Sequence, residues 1–190
     1  MMKAAVLFAQ GFEEAEAIIT IDLLRRLDIE VDTLACQDEL TVVSYHNIPI
    51  IADHTLSSVQ TTLYDAIILP GGPDGSVNLA ANPLVLDFIR RHDAAQRLIC
   101  PLCSAGARVL GAHNLLRGRH YVCSGDLYQQ VTDGIYIDRP VVEDGNLISG
   151  KGLGVAFDFA AAVAYRLTGE QEKIDFQLNH IYYENNKYKQ

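Results

Sequence analysis

Cys103 ends the apolar run Leu98-Ile-Cys-Pro-Leu-Cys103 and is followed at once by the small and aliphatic residues Ser104-Ala-Gly-Ala-Arg-Val-Leu-Gly111. A strand that stops at Leu102, a cysteine on a sharp turn and a helix of small residues make a nucleophile elbow, with the thiol held at the carboxyl edge of a sheet. A thiolate at a helix N-terminus meets unpaired N–H groups and the positive end of the helix dipole, so its pKa is expected to fall below the free value of roughly 8.5. The opposing reading is a structural cysteine, because free cysteine is among the most buried residue types. On these residues alone the two readings are evenly balanced.

Two further features carry chemistry if they reach Cys103. The N–H groups of Gly72, in the Gly71-Gly72 pair, and of Ser104 would form an oxyanion site beside the thiol, although a plain turn explains the glycines equally well. Glu16 is an ordinary first-turn acid if solvated. Buried beside Cys103, it would be protonated by desolvation and would donate to a thiolate or sulfinate. Cys100-Pro-Leu-Cys103 resembles a redox pair only superficially, since three extended residues span roughly 10 Å and a disulfide needs Cα atoms within roughly 7 Å. A lone C-x-x-C without a second pair, and without H-E-x-x-H, argues against zinc. The six histidines show no ligand or triad spacing, and most read as surface residues; His46 and His120 are the two to watch.

The elements that must position these residues alternate in type. Lys3 to Phe8 reads as a strand buried on both faces. After Gln10-Gly11-Phe12 a helix opens on Glu13 and Glu14, with Ala17, Ile18, Ile21, Leu24 and Leu27 as its apolar stripe. Ile29 to Ala35 reads as a second strand, and Thr41 to Ile51 as a hairpin-like excursion. Tyr64 to Pro70 is a strand feeding the glycine pair. Asn82 as N-cap and Pro83 at the first helical position start a helix through Arg91, striped by Leu84, Val85, Phe88 and Ile89. Past the elbow, His120 to Cys123 reads as a strand, Val141 to Ser149 as a hairpin turning at Asp144-Gly145, and Val155 to about Gly169 as a small-residue helix. A last helix and an exposed, tyrosine-bearing tail follow. This order predicts an α/β fold, a mostly parallel sheet covered on both faces, with ligands at the carboxyl ends of the strands.

With 190 residues the chain fits one domain, taken as 1–190, and 49% hydrophobic residues suit an ordinary globular protein. Fifteen Lys and Arg against 24 Asp and Glu, a formal charge of −9, oppose nucleic acid and anionic membranes as partners. The N-terminal apolar run is short and leads into Gln10, Glu13, Glu14 and Glu16 instead of a cleavage site, and Leu153 to Leu167 is too short to span a bilayer. Four irregularly spaced cysteines suggest reduced thiols and a cytoplasmic location.

Four motifs in order, Gln10-Gly11-Phe12-Glu13-Glu14-Ala15-Glu16, Ile68-Leu69-Pro70-Gly71-Gly72, the elbow at Cys103, and Gly150-Lys151-Gly152-Leu153-Gly154-Val155-Ala156-Phe157-Asp158-Phe159, together resemble the ThiJ/PfpI superfamily, in its DJ-one/YajL-like branch. The resemblance covers nearly the whole chain. It implies a flavodoxin-like three-layer sandwich, a homodimer, Cys103 as reactive cysteine, Glu16 as its protonated carboxyl partner, and Gly72 and Ser104 as backbone donors. It also implies action, without a cofactor or metal, on a small carbonyl substrate such as methylglyoxal, or sensing of peroxide; a redox-regulated chaperone without turnover is the alternative. Departures narrow this further. Ser104 stands where superfamily proteases carry histidine, which argues against a Cys-His protease. No histidine here begins the H-x-E of a glutamine amidotransferase, and no phosphate-binding motif supports the thiamine-biosynthesis label of some relatives. Ser124, beside Cys123, aligns with a histidine of the branch, and Cys100 and Pro101 replace the small residues usual before the elbow.

Overall fold

The computed structural model describes residues 1–183; part of the polar tail lies outside them. In chain order the elements are β1 (Lys3–Phe8), α1 (Glu14–Arg26), β2 (Glu30–Ala35), β3 (Thr41–Val43), β4 (Pro49–Ile51), β5 (His54–Thr55), β6 (Ala66–Leu69), α2 (Pro73–Ala80), α3 (Pro83–Ala94), β7 (Leu98–Pro101), β8 (His120–Tyr121), β9 (Ile135–Tyr136), β10 (Val141–Asp144), β11 (Leu147–Gly150), α4 (Ala156–Thr168) and α5 (Gln171–His180). The main sheet has seven strands in the order β10-β11-β7-β6-β1-β2-β5. All its pairs are parallel except β10 with β11, the hairpin turned at Gly145.

Strand periodicity builds two cores from one chain. Along β1, Ala4, Val6 and Phe8 face α1 and α4, packing with Ala17, Leu24, Phe159 and Val163, whereas Ala5 and Leu7, with Ala9 just beyond the strand, face α3 and the segment after the elbow, packing with Val85, Phe88 and Val109. The sheet is therefore covered on both faces, in the flavodoxin-like manner. Asn82 caps α3, its side chain accepting from the Leu84 N–H at 3.0 Å, with Pro83 at the first helical position. Gly169, at φ +71°, ends α4.

Four readings from sequence need correction. In α1, Ile18 is 45% exposed and Leu23 takes a place in the core, because the buried face passes through Thr20, Leu23 and Leu24. A helix, α2, fills Pro73–Ala80, where composition suggested only a glycine-rich loop; Pro73 presets its first turn. The segment after the elbow is not a regular α-helix but the wider π form over Gly106–Leu110, tightening to a 3-10 turn over Gly111–His113. His92 is also fully buried, not a surface residue.

Candidate functional site at the Cys103 elbow

Cys103 follows β7 directly. Leu102 bridges to Gly150, its N–H donates to the Leu69 carbonyl at 2.9 Å, and the Cys103 N–H donates to the Gly150 carbonyl at 2.9 Å. Pinned between β6 and β11, Cys103 adopts φ +61°, the left-handed region. A side chain there costs on the order of 1–2 kcal/mol, and such strain clusters where a nucleophile is held out of the sheet. The Ser124 N–H in turn donates to the Cys103 carbonyl at 3.2 Å.

Glu16 arrives from the first turns of α1 and is only 1% exposed. Its Oε2 accepts from the Gly71 N–H at 2.8 Å, while Oε1 is buried without a partner among the described residues. Burial raises the carboxyl to about 7, opposed by the Gly71 hydrogen bond and by its interaction with Cys103. A buried oxygen without a donor is the expected signature of a carboxyl that carries the proton itself.

Between the two stands Gly71. A Cβ placed on it would lie 2.6 Å from Cys103 Cβ, 2.9 Å from Glu16 Oε2 and 3.1 Å from Cys103 Sγ, so only glycine lets the carboxyl and the thiol meet. Nothing local in the sequence marks this role, and there Gly72 reads as the donor. Gly72 itself, at φ +98°, opens α2.

Contrary to the expectation from the helix dipole, the Cys103 thiol is pushed up from its ordinary value. Burial is the largest cause and the charge on Glu16 the next, while Ser124 and the Ser104 N–H stabilise the thiolate. The π form explains part of the difference, since it lacks a regular first turn of N–H groups pointing along one axis. The charge on either group disfavours the charge on the other, so Glu16 and Cys103 titrate as one coupled pair.

A pocket of about 250 Å³ opens over the thiol, lined by Cys103, Gly72, Ser104, Ser124, Glu13 and Arg108 among others. Its lining contains no histidine. Ser104 Oγ donates to Ser76 Oγ at 2.9 Å, and Ser76 Oγ donates to the Gly72 carbonyl at 2.9 Å. Arg108 Nη1 donates to the Pro73 carbonyl at 3.0 Å. Sequence reading missed Ser76, which lies on the unforeseen α2, and Arg108; the signal for Arg108 was its place four residues after Ser104, on the same face of a helical turn. Cys100 is fully buried in β7 and all four cysteines are free, so no C-x-x-C disulfide forms. His46 pairs with Glu14 at 2.6 Å and His120 with Asp144 at 2.8 Å, neither lining this pocket. With Glu13, the first of these pairs is a cluster of possible metal-ligand atoms within 4.8 Å of one another, but His46 is exposed and its Nδ1 is already engaged by Glu14.

The model of the DJ-1/PfpI family matches residues 2–166. Protein dj-1beta of Drosophila melanogaster is 33% identical over 171 residues, covering 89% of this chain and 91% of that protein. The glutathione-independent glyoxalase DJR-1.2 of Caenorhabditis elegans is 33% identical over 162 residues, 84% of this chain and 85% of that one. Protein DJ-1 homolog B of Arabidopsis thaliana is 30% identical over 164 residues, 86% of this chain, but the match spans only 37% of that longer protein. Among solved structures, the C103A mutant of a DJ-1 superfamily protein from Salmonella typhimurium superposes with a TM-score of 0.96 at 64% identity, covering 97% of this chain and all of that one.

Proposed function

Because this chain belongs to the DJ-1/PfpI family, we propose that Cys103 is the nucleophile of a cofactor-independent conversion of small 2-oxoaldehydes to 2-hydroxy acids. The observation that carries this reading is the buried Glu16 carboxyl, raised to about 7, facing a strained cysteine in a small open pocket. A relative whose name states a glutathione-independent glyoxalase supports it.

In this reading the thiolate adds to the aldehyde carbon and forms a hemithioacetal, the new oxyanion meeting the N–H groups of Gly72 and Ser104. Glu16 carries the thiol's proton to that oxyanion and, again a carboxylate, takes the proton from the carbon and returns it to the neighbouring one through an enediol. The product is a thioester, which water hydrolyses to the hydroxy acid and free thiol. No external oxidant or reductant takes part, because one carbon is oxidised as its neighbour is reduced. Lactate formation from methylglyoxal, without added thiol, tests the reading. Unchanged activity in Cys103→Ser would overturn it.

A second reading uses the same pair. The protonated Glu16 carboxyl is placed to donate to a Cys103 sulfinate, which supports peroxide sensing. As partners we propose a carbonyl or peroxide substrate and a second copy of the chain, the exposed apolar Ile18 and Ile51 supporting a homodimer. Among the described residues no helix is long and apolar enough to cross a membrane, and we place the protein in the cytoplasm on its free cysteines.

A further inference from the structure

We propose that Arg108 selects the substrate of the Cys103 pocket by receiving a carboxylate carried on the carbonyl compound's own carbon chain. The inference rests on the reading of Cys103 as a carbonyl nucleophile and names the substrate class it prefers.

Four observations converge on Arg108. It lines the Cys103 pocket and also, together with Leu127, a larger adjoining groove of about 490 Å³, so it borders both spaces. Its guanidinium is already positioned, Nη1 donating to the Pro73 carbonyl at 3.0 Å and to Ser76 Oγ at 3.4 Å. Its backbone is pinned as well, the N–H donating to the Ser104 carbonyl at 2.9 Å. Lastly, like Arg91 and Arg139 but unlike the other seven arginines, it forms no ion pair among the described residues, and of these three it alone lines the Cys103 pocket.

In a chain of net charge −9, a half-buried arginine without an acidic partner beside a reactive thiol is an anion site waiting for its anion. A guanidinium has five N–H donors in a planar fork, and here Nη1 alone is engaged among the described residues, leaving Nε and Nη2 for a bidentate carboxylate. Glu13 lines the same pocket and repels a carboxylate, so the two charges set one orientation, anionic end toward Arg108 and aldehyde toward Cys103. The carboxylate is a spectator in the chemistry. For 4,5-dioxopentanoate, thiol addition, proton transfer and hydrolysis consume one water and give 2-hydroxyglutarate.

The experiment compares two pairs of probes on wild type, Arg108→Gln and Arg108→Lys. The first pair is 4,5-dioxopentanoate against methylglyoxal, read as the ratio of kcat/KM values. The second is alkylation of Cys103 by iodoacetate against iodoacetamide, which needs no turnover. In both, the anionic-to-neutral ratio is expected to fall at least tenfold in Arg108→Gln, with Arg108→Lys in between because it keeps the charge and loses the fork. Ratios within twofold of wild type in both pairs would overturn the role of Arg108 while leaving the dicarbonyl reading intact. If neither dicarbonyl is turned over, that reading fails and the alkylation ratio alone decides on Arg108. A thermal melt of each variant identifies loss of fold, in which case Arg108→Lys carries the comparison.

Discussion

The Gly71 N–H donates to Glu16 Oε2 at 2.8 Å, and the missing side chain of Gly71 is the space in which Glu16 and Cys103 meet. One residue thus fixes the carboxyl by its backbone and admits the thiol by its lack of a Cβ. In Gly71→Ala the new methyl would lie 2.6 Å from Cys103 Cβ, which forces the elbow or α1 to shift. Overpacking of this kind costs about 1–3 kcal/mol. Cys103 alkylation and dicarbonyl turnover are both expected to drop, and a fully active Gly71→Ala would show that the two side chains need no such closeness.

Glu16→Gln separates the two roles given to the carboxyl. Glutamine is neutral and can still donate, so the charge that pushes the Cys103 thiol up is gone, and alkylation by iodoacetamide above pH 7 should be at least as fast as in wild type. Proton transfer between carbons needs a base that glutamine cannot supply, so turnover should fall by about 10²–10⁴. Parallel loss of alkylation and turnover would mean that Glu16 acts only through the thiol.

Oxidation should distinguish the four cysteines. Burial pushes Cys123 up to about 11 and raises Cys36 and Cys100 further, whereas Cys103 opens to a pocket and has Ser124 and the Ser104 N–H to stabilise its thiolate. Intact-mass and peptide analysis after mild peroxide should therefore place added oxygens on Cys103 first. Earlier oxidation at any of the other three would remove the support for a sensing role.

The backbone strain at Cys103 has its own readout. Cys103→Ala keeps a Cβ at φ +61° and Cys103→Gly does not, so the glycine variant should be the more stable of the two by about 1 kcal/mol in urea unfolding. An alanine variant of equal or greater stability would mean that the elbow relaxes once the thiol is gone.

The features legible in sequence were those written in local chemistry. Pro83 behind Asn82, Gly145 in a hairpin and Gly169 after α4 each announce a boundary by their own conformational preference, and the run from Leu98 to Leu102 announces a buried strand. What escaped depends on contacts far apart in the chain. Ile18 and Leu23 exchange places because the covered face of α1 passes through Thr20, Leu23 and Leu24. Gly71, Ser76 and Arg108 acquire roles only when α2, itself hidden in a glycine-rich stretch, folds back beside the elbow. The rise in the thiol's pKa is invisible in sequence for a related reason, since the π form over Gly106–Leu110 and the burial of Glu16 are both products of tertiary packing.

Two buried groups make opposite demands on pH. Glu16 has an ordinary value of 4.5 and is raised to about 7 in the fold, so the native state holds its proton more tightly than the unfolded chain. Its contribution is fully present below pH 4.5 and is lost as pH rises through about 7. His92 runs the other way. The Tyr64 N–H donates to Nε2 at 3.0 Å, and Nδ1 lies 2.7 Å from the Phe88 carbonyl, so only the neutral ring with its proton on Nδ1 satisfies both, and burial lowers the pKa from 6.5 to about 4. That contribution is present above pH 6.5 and is lost as pH falls through about 4. Each separation, at 1.36 kcal/mol per pH unit, corresponds to about 3 kcal/mol, so across roughly pH 4.5 to 6.5 the two slopes offset. Chemical denaturation from pH 4 to 8 should then give a shallow curve for wild type. Glu16→Gln should expose the histidine's slope, with stability rising toward neutral pH, and His92→Gln the opposite slope, with stability falling. The same profile in all three proteins would mean that neither residue changes its proton affinity on folding.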